Sequence, residues 1–375
     1  MKNLVKSKLF GGVVLCLTML FASCGNADNA LEEIINGGGN TSPLATPLTL
    51  EATSAGTIVV NKPQNGMQYS LNGGAKTTLT ADPTNITVAA GDKLAFYGKG
   101  TTITAYCSNG SDNTNIQGSG TGFTFKVYGN IMSLIDETGF ATATTLSARW
   151  AFTGLFSDNV YLTDASGLQL PATTLAKNSY HRMFKGCSNL TSAPSKLPAT
   201  TVTESCYARM FEGCKSLTTA PELPATTLDS YCYSSMFREC KSLTTAPALP
   251  ATTLAGLCYQ GMFNGCTNLT TAPALPATTL ANQCYYSMFE GCTSLTTTPA
   301  LKAETLVMEC YRQMFRGCTN LTAVTCLATD ISATDCTTSW LDGVAATGTF
   351  YRSTSVDDSF WSGKIPGTWS IEVAP

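Results

Sequence analysis

The sequence predicts an α/β solenoid, built from short parallel strands and short helical segments and preceded by a β-sandwich-like module. Three observations lead to this prediction. A Met-Phe pair recurs every 26 or 27 residues, apolar side chains keep fixed places around each pair, and short apolar runs alternate with turn residues upstream. Regular repetition of this kind is typical of proteins whose units stack along one axis.

The repeat sets the architecture expected for residues 139–350. The Met-Phe pair occurs six times, with successive spacings of 27, 26, 26, 26 and 26 residues, and one clear copy runs from Leu249 to Pro273. A unit this short cannot bury its own apolar face, so we expect successive copies to stack as coils around a continuous core. Degenerate copies at both ends raise the expected number to about eight coils, with the outer ones acting as caps.

Two segments of each copy have recognisable patterns. The Leu-Thr-Thr-Ala-Pro stretch predicts a short parallel strand, because β-branched residues favour strands and proline ends them. The Cys-Tyr-x-x-Met-Phe segment predicts a short helix, because Cys284, Met288 and Cys292 follow one another at intervals of four residues, which places them on one helical face.

These motifs resemble the BspA-like leucine-rich repeats of bacterial surface proteins. The resemblance is carried by Met262-Phe263, Cys266, Leu269 and Leu275-Pro276. The copies depart from that family in three ways, since Met replaces the usual Ala, a second Cys stands four residues before the Met, and the unit is longer. The resemblance implies a leucine-rich-repeat solenoid and a role in adhesion or partner binding, with no common ligand.

The start of the sequence has the anatomy of an export signal. Lys2, Lys6 and Lys8 precede an apolar run, residues 9–21, and small residues follow before Cys24. This order predicts a signal peptide, and it resembles a bacterial lipoprotein signal, which implies lipidation of Cys24. We therefore expect a protein anchored by lipid to the outer membrane of the cell envelope, at the cell surface, with an ordinary secretory signal as the alternative.

Composition divides the chain into five segments. They are a signal peptide (1–23), a lipidated flexible tether (24–45), a β-sandwich-like module (46–138), the repeat array (139–350) and a C-terminal cap (351–375). The module is inferred from short apolar runs separated by turn residues. The cap contains Trp361 and Trp369, which we expect to be packed because large aromatic surfaces are seldom left in water.

Charge excludes one class of partner. Removal of residues 1–23 takes away three lysines and no acid, so that 19 basic and 25 acidic residues remain. Nucleic-acid binding needs a basic surface, and we expect none here. The membrane is expected to be contacted through the lipid anchor alone.

The cysteines of the array leave alternatives open. They form pairs eight residues apart, such as Cys258 and Cys266. They can stack as reduced core ladders, which we favour, or form disulfides between coils in the pattern Cys187–Cys206 and onward. A metal site is the weakest alternative, because no Cys-x-x-Cys occurs and the only histidine, His181, is isolated.

The sequence offers binding ladders and no catalytic group. A single histidine, expected at the surface, argues against most nucleophilic sites, so we expect no enzyme activity, no catalytic residue, no metal and no cofactor. One tyrosine per coil forms a candidate binding ladder: Tyr180, Tyr207, Tyr233, Tyr259, Tyr285 and Tyr311. The favoured alternative is that these rings pack between coils with wet hydroxyls. Paired threonines form a second ladder, beginning at Thr218-Thr219, and the favoured alternative there is that they serve strand formation and solubility.

These features favour a lipid-anchored recognition or adhesion protein that binds protein partners through its repeat array. A glycan-binding surface lipoprotein is an alternative, because a strip of tyrosine rings on a neutral surface suits sugar faces. A structural envelope lipoprotein without a soluble ligand is another.

Overall fold

The computed structural model describes residues 43–98 and 113–375. The predicted signal peptide, Cys24, most of the tether and Cys107 lie outside the described residues. Residues from Pro43 to Pro375 form one compact unit. Within the described residues, no helix is long and apolar enough to cross a membrane.

The described residues are mostly strand and turn, with few helices. The strands are β1 (Thr49–Ala52), β2 (Gly56–Asn61), β3 (Gln68–Leu71), β4 (Thr77–Thr78), β5 (Thr84–Val88), β6 (Lys93–Tyr97), β7 (Asn115–Ser119), β8 (Phe125–Asn130), β9 (Leu162–Gln169), β10 (Ala323–Cys326), β11 (Thr349–Arg352) and β12 (Ser370–Val373). Among these residues the helices are short 3-10 segments, at Pro43–Ala45, Ile131–Leu134, Phe140–Thr142 and Asp358–Trp361.

The strands form three sheets, none of which closes into a barrel. One has six strands in the order β4-β3-β6-β1-β8-β9, and the others are β5-β2-β7 and β10-β11-β12. The module supplies two of these sheets, and its strands pair antiparallel. Strand β9 then pairs parallel with β8, so the larger sheet continues from the module into the repeat array.

A buried corner holds the end of the module. Asn130 is fully buried; its Nδ2 donates to the carbonyl oxygens of Leu44 (3.0 Å) and Phe140 (2.9 Å), and its Oδ1 accepts the Met132 N–H. Gly129 has a φ of 82°, and a Cβ there would lie 2.1 Å from a backbone oxygen. The chain therefore needs glycine followed by an amide at this corner.

The segment predicted as a helix in each copy is a run of tight turns, so the prediction of short helices is wrong. In one copy Gln283, Ser287 and Gly291 have φ angles of 59°, 51° and 73°. A left-handed residue at every fourth position is incompatible with a right-handed α-helix. The four-residue spacing still buries one side of the segment, namely Cys284, Met288 and Cys292.

The turn runs join each copy to the next through alternate N–H groups. The Tyr285 N–H donates to the Cys310 oxygen (3.1 Å), and the Phe289 N–H donates to the Met314 oxygen (2.9 Å). The intervening Met288 N–H donates back to the Tyr285 oxygen (3.1 Å). A helix would not join copies in this way, because its N–H groups bond within the helix.

The predicted parallel strands are largely reduced to single bridges. Thr245 bridges Thr271 in parallel register, and comparable bridges recur along the array. Longer strands form at its two ends, in β9 and β10. Pro273 follows Thr271 by two residues, and a proline has no N–H with which to extend the ladder.

Two columns of stacked rings run through the core of the array. The phenylalanines stack with centroid distances of 5.3–5.7 Å, from Phe156 to Phe315. The tyrosine column begins on Phe152 and ends on Trp340 and Trp361. The expectation that Trp361 and Trp369 pack is confirmed, with exposed fractions of 0% and 6%.

Candidate functional site

The candidate binding ladder is in the core. With exposed fractions of 0–2%, the structure buries Tyr180, Tyr207, Tyr233, Tyr259, Tyr285 and Tyr311. Successive rings stack at centroid distances of 5.7–6.0 Å, so each inner ring is covered on both faces by its neighbours. The favoured interpretation, in which the rings pack between copies, is the one observed, and the tyrosines do not form an exposed binding strip.

Several hydroxyl groups of this column are buried, whereas we expected them to contact solvent. Those of Tyr180, Tyr207 and Tyr233 are buried and have no hydrogen-bond partner within residues 43–98 and 113–375. Burial raises the pKa of these phenols well above its ordinary value, and neighbouring thiols add to the effect. The prediction of wet hydroxyls is therefore wrong at these three residues, because the copies stack too closely for water to reach them.

The second cysteine of each copy has a specific partner in the preceding copy. The Cys266 thiol donates to the Phe237 oxygen at 3.0 Å, and the same bond recurs at 3.0–3.1 Å for five more cysteines of this ladder. The Phe237 oxygen also accepts the Cys240 N–H. The thiol is thus small enough for the core and supplies a second donor to a buried carbonyl.

The thirteen described cysteines of the array are buried and free. Among the alternatives left open, the structure therefore favours reduced core ladders over disulfides between coils. Burial raises the pKa of Cys206 and Cys258 to about 12, so these thiols stay protonated and unreactive at neutral pH. The part of the chain that the structure describes contains no group of three His, Cys, Asp or Glu residues arranged for a metal ion.

His181 is not the surface residue that was expected. It is half-buried, and its ring meets the edge of Trp150 at a centroid distance of 5.8 Å. Its Nδ1 is buried and has no hydrogen-bond partner in the described part of the chain. Burial lowers the pKa of the imidazole to about 3, helped by the positive charges of Arg182, Arg209 and Lys185.

Exposed threonines are the repeated side chains that remain available to a partner. The first exposed series is named the threonine columns. It consists of two exposed rows, namely Thr218, Thr244, Thr270, Thr296 and Thr219, Thr245, Thr271, Thr297. The Thr270 hydroxyl donates to the main-chain oxygen of Thr244 at 3.3 Å, which joins the side chain of one copy to the backbone of the preceding copy. Parallel pairing spaces such residues by about 4.8 Å.

A second exposed series was not singled out from the sequence. It consists of the threonines in the Pro-Ala-Thr-Thr-Leu stretch of each copy, with parallel bridges at Thr201–Thr227 and Thr253–Thr279. The signal was present, because these threonines recur as regularly as those of the threonine columns.

Comparison with protein-family models, with curated proteins and with solved structures finds no match for this chain. The arrangement of the described residues therefore has to support any functional proposal.

Proposed function

We propose that the chain is a lipid-anchored surface recognition protein, in which residues 139–350 form a leucine-rich-repeat solenoid that binds protein partners and performs no catalysis. The observation that carries the proposal is the set of threonine columns, two exposed rows of hydroxyls held in register by copies that hydrogen-bond to one another. Repeated surfaces of this kind offer an extended contact area on a rigid support.

The chemistry of this face favours a protein partner. Hydroxyls donate and accept hydrogen bonds, and threonine methyl groups add apolar contact. Only 13% of the residues are charged, so strong electrostatic attraction of a charged ligand is not expected. The tyrosine rings that favoured the glycan-binding alternative are buried, so they cannot contact a sugar. A structural envelope role would not require exposed threonines.

Lysine substitution on the proposed face tests this function. The full chain and the double variant Thr244→Lys/Thr270→Lys would be screened against a panel of extracellular proteins and a glycan array. We expect binding to at least one protein, weakened about tenfold or more by the two charges. The matched control is Thr252→Lys/Thr278→Lys, which places the same charges on the second exposed series. Equal binding by both variants, or binding to glycans alone, would remove the proposal.

The anchor is tested separately. Labelled palmitate should be incorporated into the wild-type chain and not into Cys24→Ala. Protease added to intact cells should degrade an outward-facing protein, whereas survival until the outer membrane is broken would contradict a surface location.

A further inference from the structure

The turn runs have a direction, since each donates alternate N–H groups to the copy that follows. In the last complete copy, the donors are the N–H groups of Glu309, Tyr311, Gln313, Phe315 and Gly317. At 2.7–3.1 Å, their acceptors are the carbonyl oxygens of Thr334, Cys336, Thr338, Trp340 and Asp342. Every copy thus needs a row of carbonyl oxygens placed after it.

The terminal turn run, residues 335–343, has no copy after it. The N–H groups 26 residues after the donors of the preceding copy belong to Asp335, Thr337, Ser339, Leu341 and Gly343. Within the described residues, none of these five groups donates to a protein acceptor. An unpaired row of backbone donors is a template on which another chain can pair.

A cavity of about 390 Å³ lies against this row. Residues 337–346 line one side, and residues 363–366 with Thr368 line the other. The volume falls within the range of roughly 300–1,000 Å³ that is usual for ligand sites.

The far wall of the cavity is held in place by two tryptophans. The Trp340 indole N–H donates to the Lys364 oxygen at 2.7 Å, and the Trp369 indole N–H donates to the Ala345 oxygen at 2.8 Å. These bonds fix the wall segment beside the open row without supplying the missing acceptors. The cavity is therefore preformed.

A buried polar side chain lines the cavity. Thr337 is 3% exposed; within the described residues its hydroxyl interacts with the Cys336 thiol and makes no hydrogen bond to a nitrogen or oxygen atom. It occupies the position that Tyr311 has one repeat earlier, and the Trp340 ring continues the stack in its place. Lys364 and Asp342 also line the cavity, with opposite charges.

Donors at alternate residues call for acceptors that repeat along a chain. Main-chain carbonyls of a peptide form such a row, and carbonyls are what the equivalent N–H groups bind in the preceding copies. A single small anion could reach few of these donors, and the opposed charges of Lys364 and Asp342 give it little advantage. We propose that this cavity binds a peptide segment of a partner protein, whose main-chain carbonyls take the place of the next copy.

The partner is not a second copy stacked head to tail. At the first turn run, the Leu155 oxygen accepts the Ile116 N–H at 2.7 Å, and Asn115 Nδ2 donates to the Gly154 oxygen at 2.9 Å. Two carbonyl oxygens of the first turn run are therefore already hydrogen-bonded to strand β7 and are not free for the donors of another copy. The site is also distinct from the threonine columns, so it stands or falls separately from the proposed function.

A random peptide library displayed on phage is the probe that tests the site. The library would be selected on the full chain and counter-selected on Thr338→Trp, whose indole fills the cavity from an exposed lining position. Thr334→Trp is the matched control, because it adds the same side chain to the same copy outside the lining. Thermal unfolding of both variants shows whether they fold like the parent.

We expect peptides that bind the parent chain and Thr334→Trp, and that bind Thr338→Trp at least about tenfold more weakly. In the parent, saturating peptide should slow amide hydrogen exchange at Ser339 and Leu341 about tenfold or more, with no change at Gln313. Failure to select any peptide that distinguishes the two variants would overturn the proposal. Slowing of the same amides by inorganic phosphate, with no effect of peptide, would identify an anion site and overturn it equally.

Discussion

The two ends of the repeat array treat their open backbone differently. At the N-terminal end, strand β7 covers the first turn run, and Asn115 and Ile116 donate to its carbonyl oxygens. At the C-terminal end, the N–H groups of Ser339 and Leu341 meet a cavity and have no acceptor among the residues that the structure describes.

The side-chain core shows no such difference, because aromatic residues close it at both ends. Phe152 stacks on Tyr180 at 5.6 Å, and Trp361 stacks on Trp340 at 5.8 Å. Sealing the core and pairing the backbone are therefore separate tasks for the terminal segments of a repeat array. The C-terminal segment closes the aromatic core but leaves several backbone N–H groups without a hydrogen-bond acceptor among the described residues. These unpaired groups are the physical basis for a binding site there.

Alkaline pH should lower the stability of the fold most, because it favours ionisation of the thiols that are buried between the two ends of the array. Burial raises the pKa of Cys258, Cys266 and Cys318 to about 12, whereas unfolded thiols ionise near pH 8.5–9. Stability is therefore complete below about pH 8.5 and is lost as the pH rises toward 12, by up to about 1.4 kcal/mol per pH unit for each group. The combined loss of stability from several such thiols exceeds ~5–15 kcal/mol, the free energy of unfolding of a typical folded domain.

Circular dichroism of the reduced protein should show cooperative unfolding between about pH 9.5 and 11. The tyrosinate absorbance that comes from the six tyrosines of the column should rise in the same pH interval, because these buried tyrosines ionise only on unfolding. A gradual rise of this absorbance with unchanged dichroism would show that the ladders are open to solvent.

Removal of the C-terminal seal should have the next largest effect. Trp361 is fully buried and packs on Trp340 and Phe350. Trp361→Ala should therefore lower the free energy of unfolding by about 3–5 kcal/mol, measured by urea denaturation. Phe360→Ala is the control, since Phe360 is only half-buried and its ring makes a T-shaped contact with Trp361 at 5.4 Å. Equal losses in the two variants would mean that the core is not closed by Trp361.

The sequence predicts the core of the array well and its backbone poorly. Repetition alone places Met288 and Cys292 in the interior, because equivalent residues of stacked copies share one environment. Intervals of four residues fit both an α-helix and a run of turns. The two structures differ in the positive φ of Gln283 and Ser287, and neither glutamine nor serine predicts such a conformation.

The site was harder to predict for two reasons. A recurring tyrosine suits both a stacked core and an exposed strip, and the choice depends on how closely the copies approach. The open row at Ser339 depends on where the last copy ends and on how residues 363–368 fold back, and no local pattern encodes either.

Loss of a single amide at the N-terminal junction should have a moderate effect. Asn159 is fully buried. Its Nδ2 donates to the Ile116 oxygen (2.9 Å), and its Oδ1 accepts the N–H groups of Tyr161 (2.9 Å) and Leu162 (3.1 Å). Asn159→Ala leaves these groups unpaired and should cost about 2–3 kcal/mol in urea denaturation.

Asn189→Ala is the matched control for that variant. Asn189 is exposed, although its Nδ2 donates to the Val160 oxygen at 2.7 Å. Solvent can replace this bond, so the loss should stay within about 0.5 kcal/mol. A small loss at Asn159 as well would imply that the module does not brace the first copies.

Acid should also lower the stability of the fold, and it should act on one end. Burial lowers the pKa of His181 to about 3, whereas unfolded histidine titrates near 6.5. The folded chain keeps the ring neutral while the unfolded chain takes up a proton, so stability is complete above about pH 6.5 and falls as the pH decreases toward 3, by at most about 1.4 kcal/mol per pH unit.

Urea denaturation of the parent and of His181→Gln between pH 7.5 and 4.5 isolates this contribution, because the carboxylates are the same in both proteins. The parent should lose more stability than the variant over this interval, and parallel curves would contradict the burial of His181. His181 packs against Trp150 in the first copies. Acid should therefore speed amide exchange at Tyr180 before exchange at Tyr311 changes, so that the end covered by the module becomes the first to open.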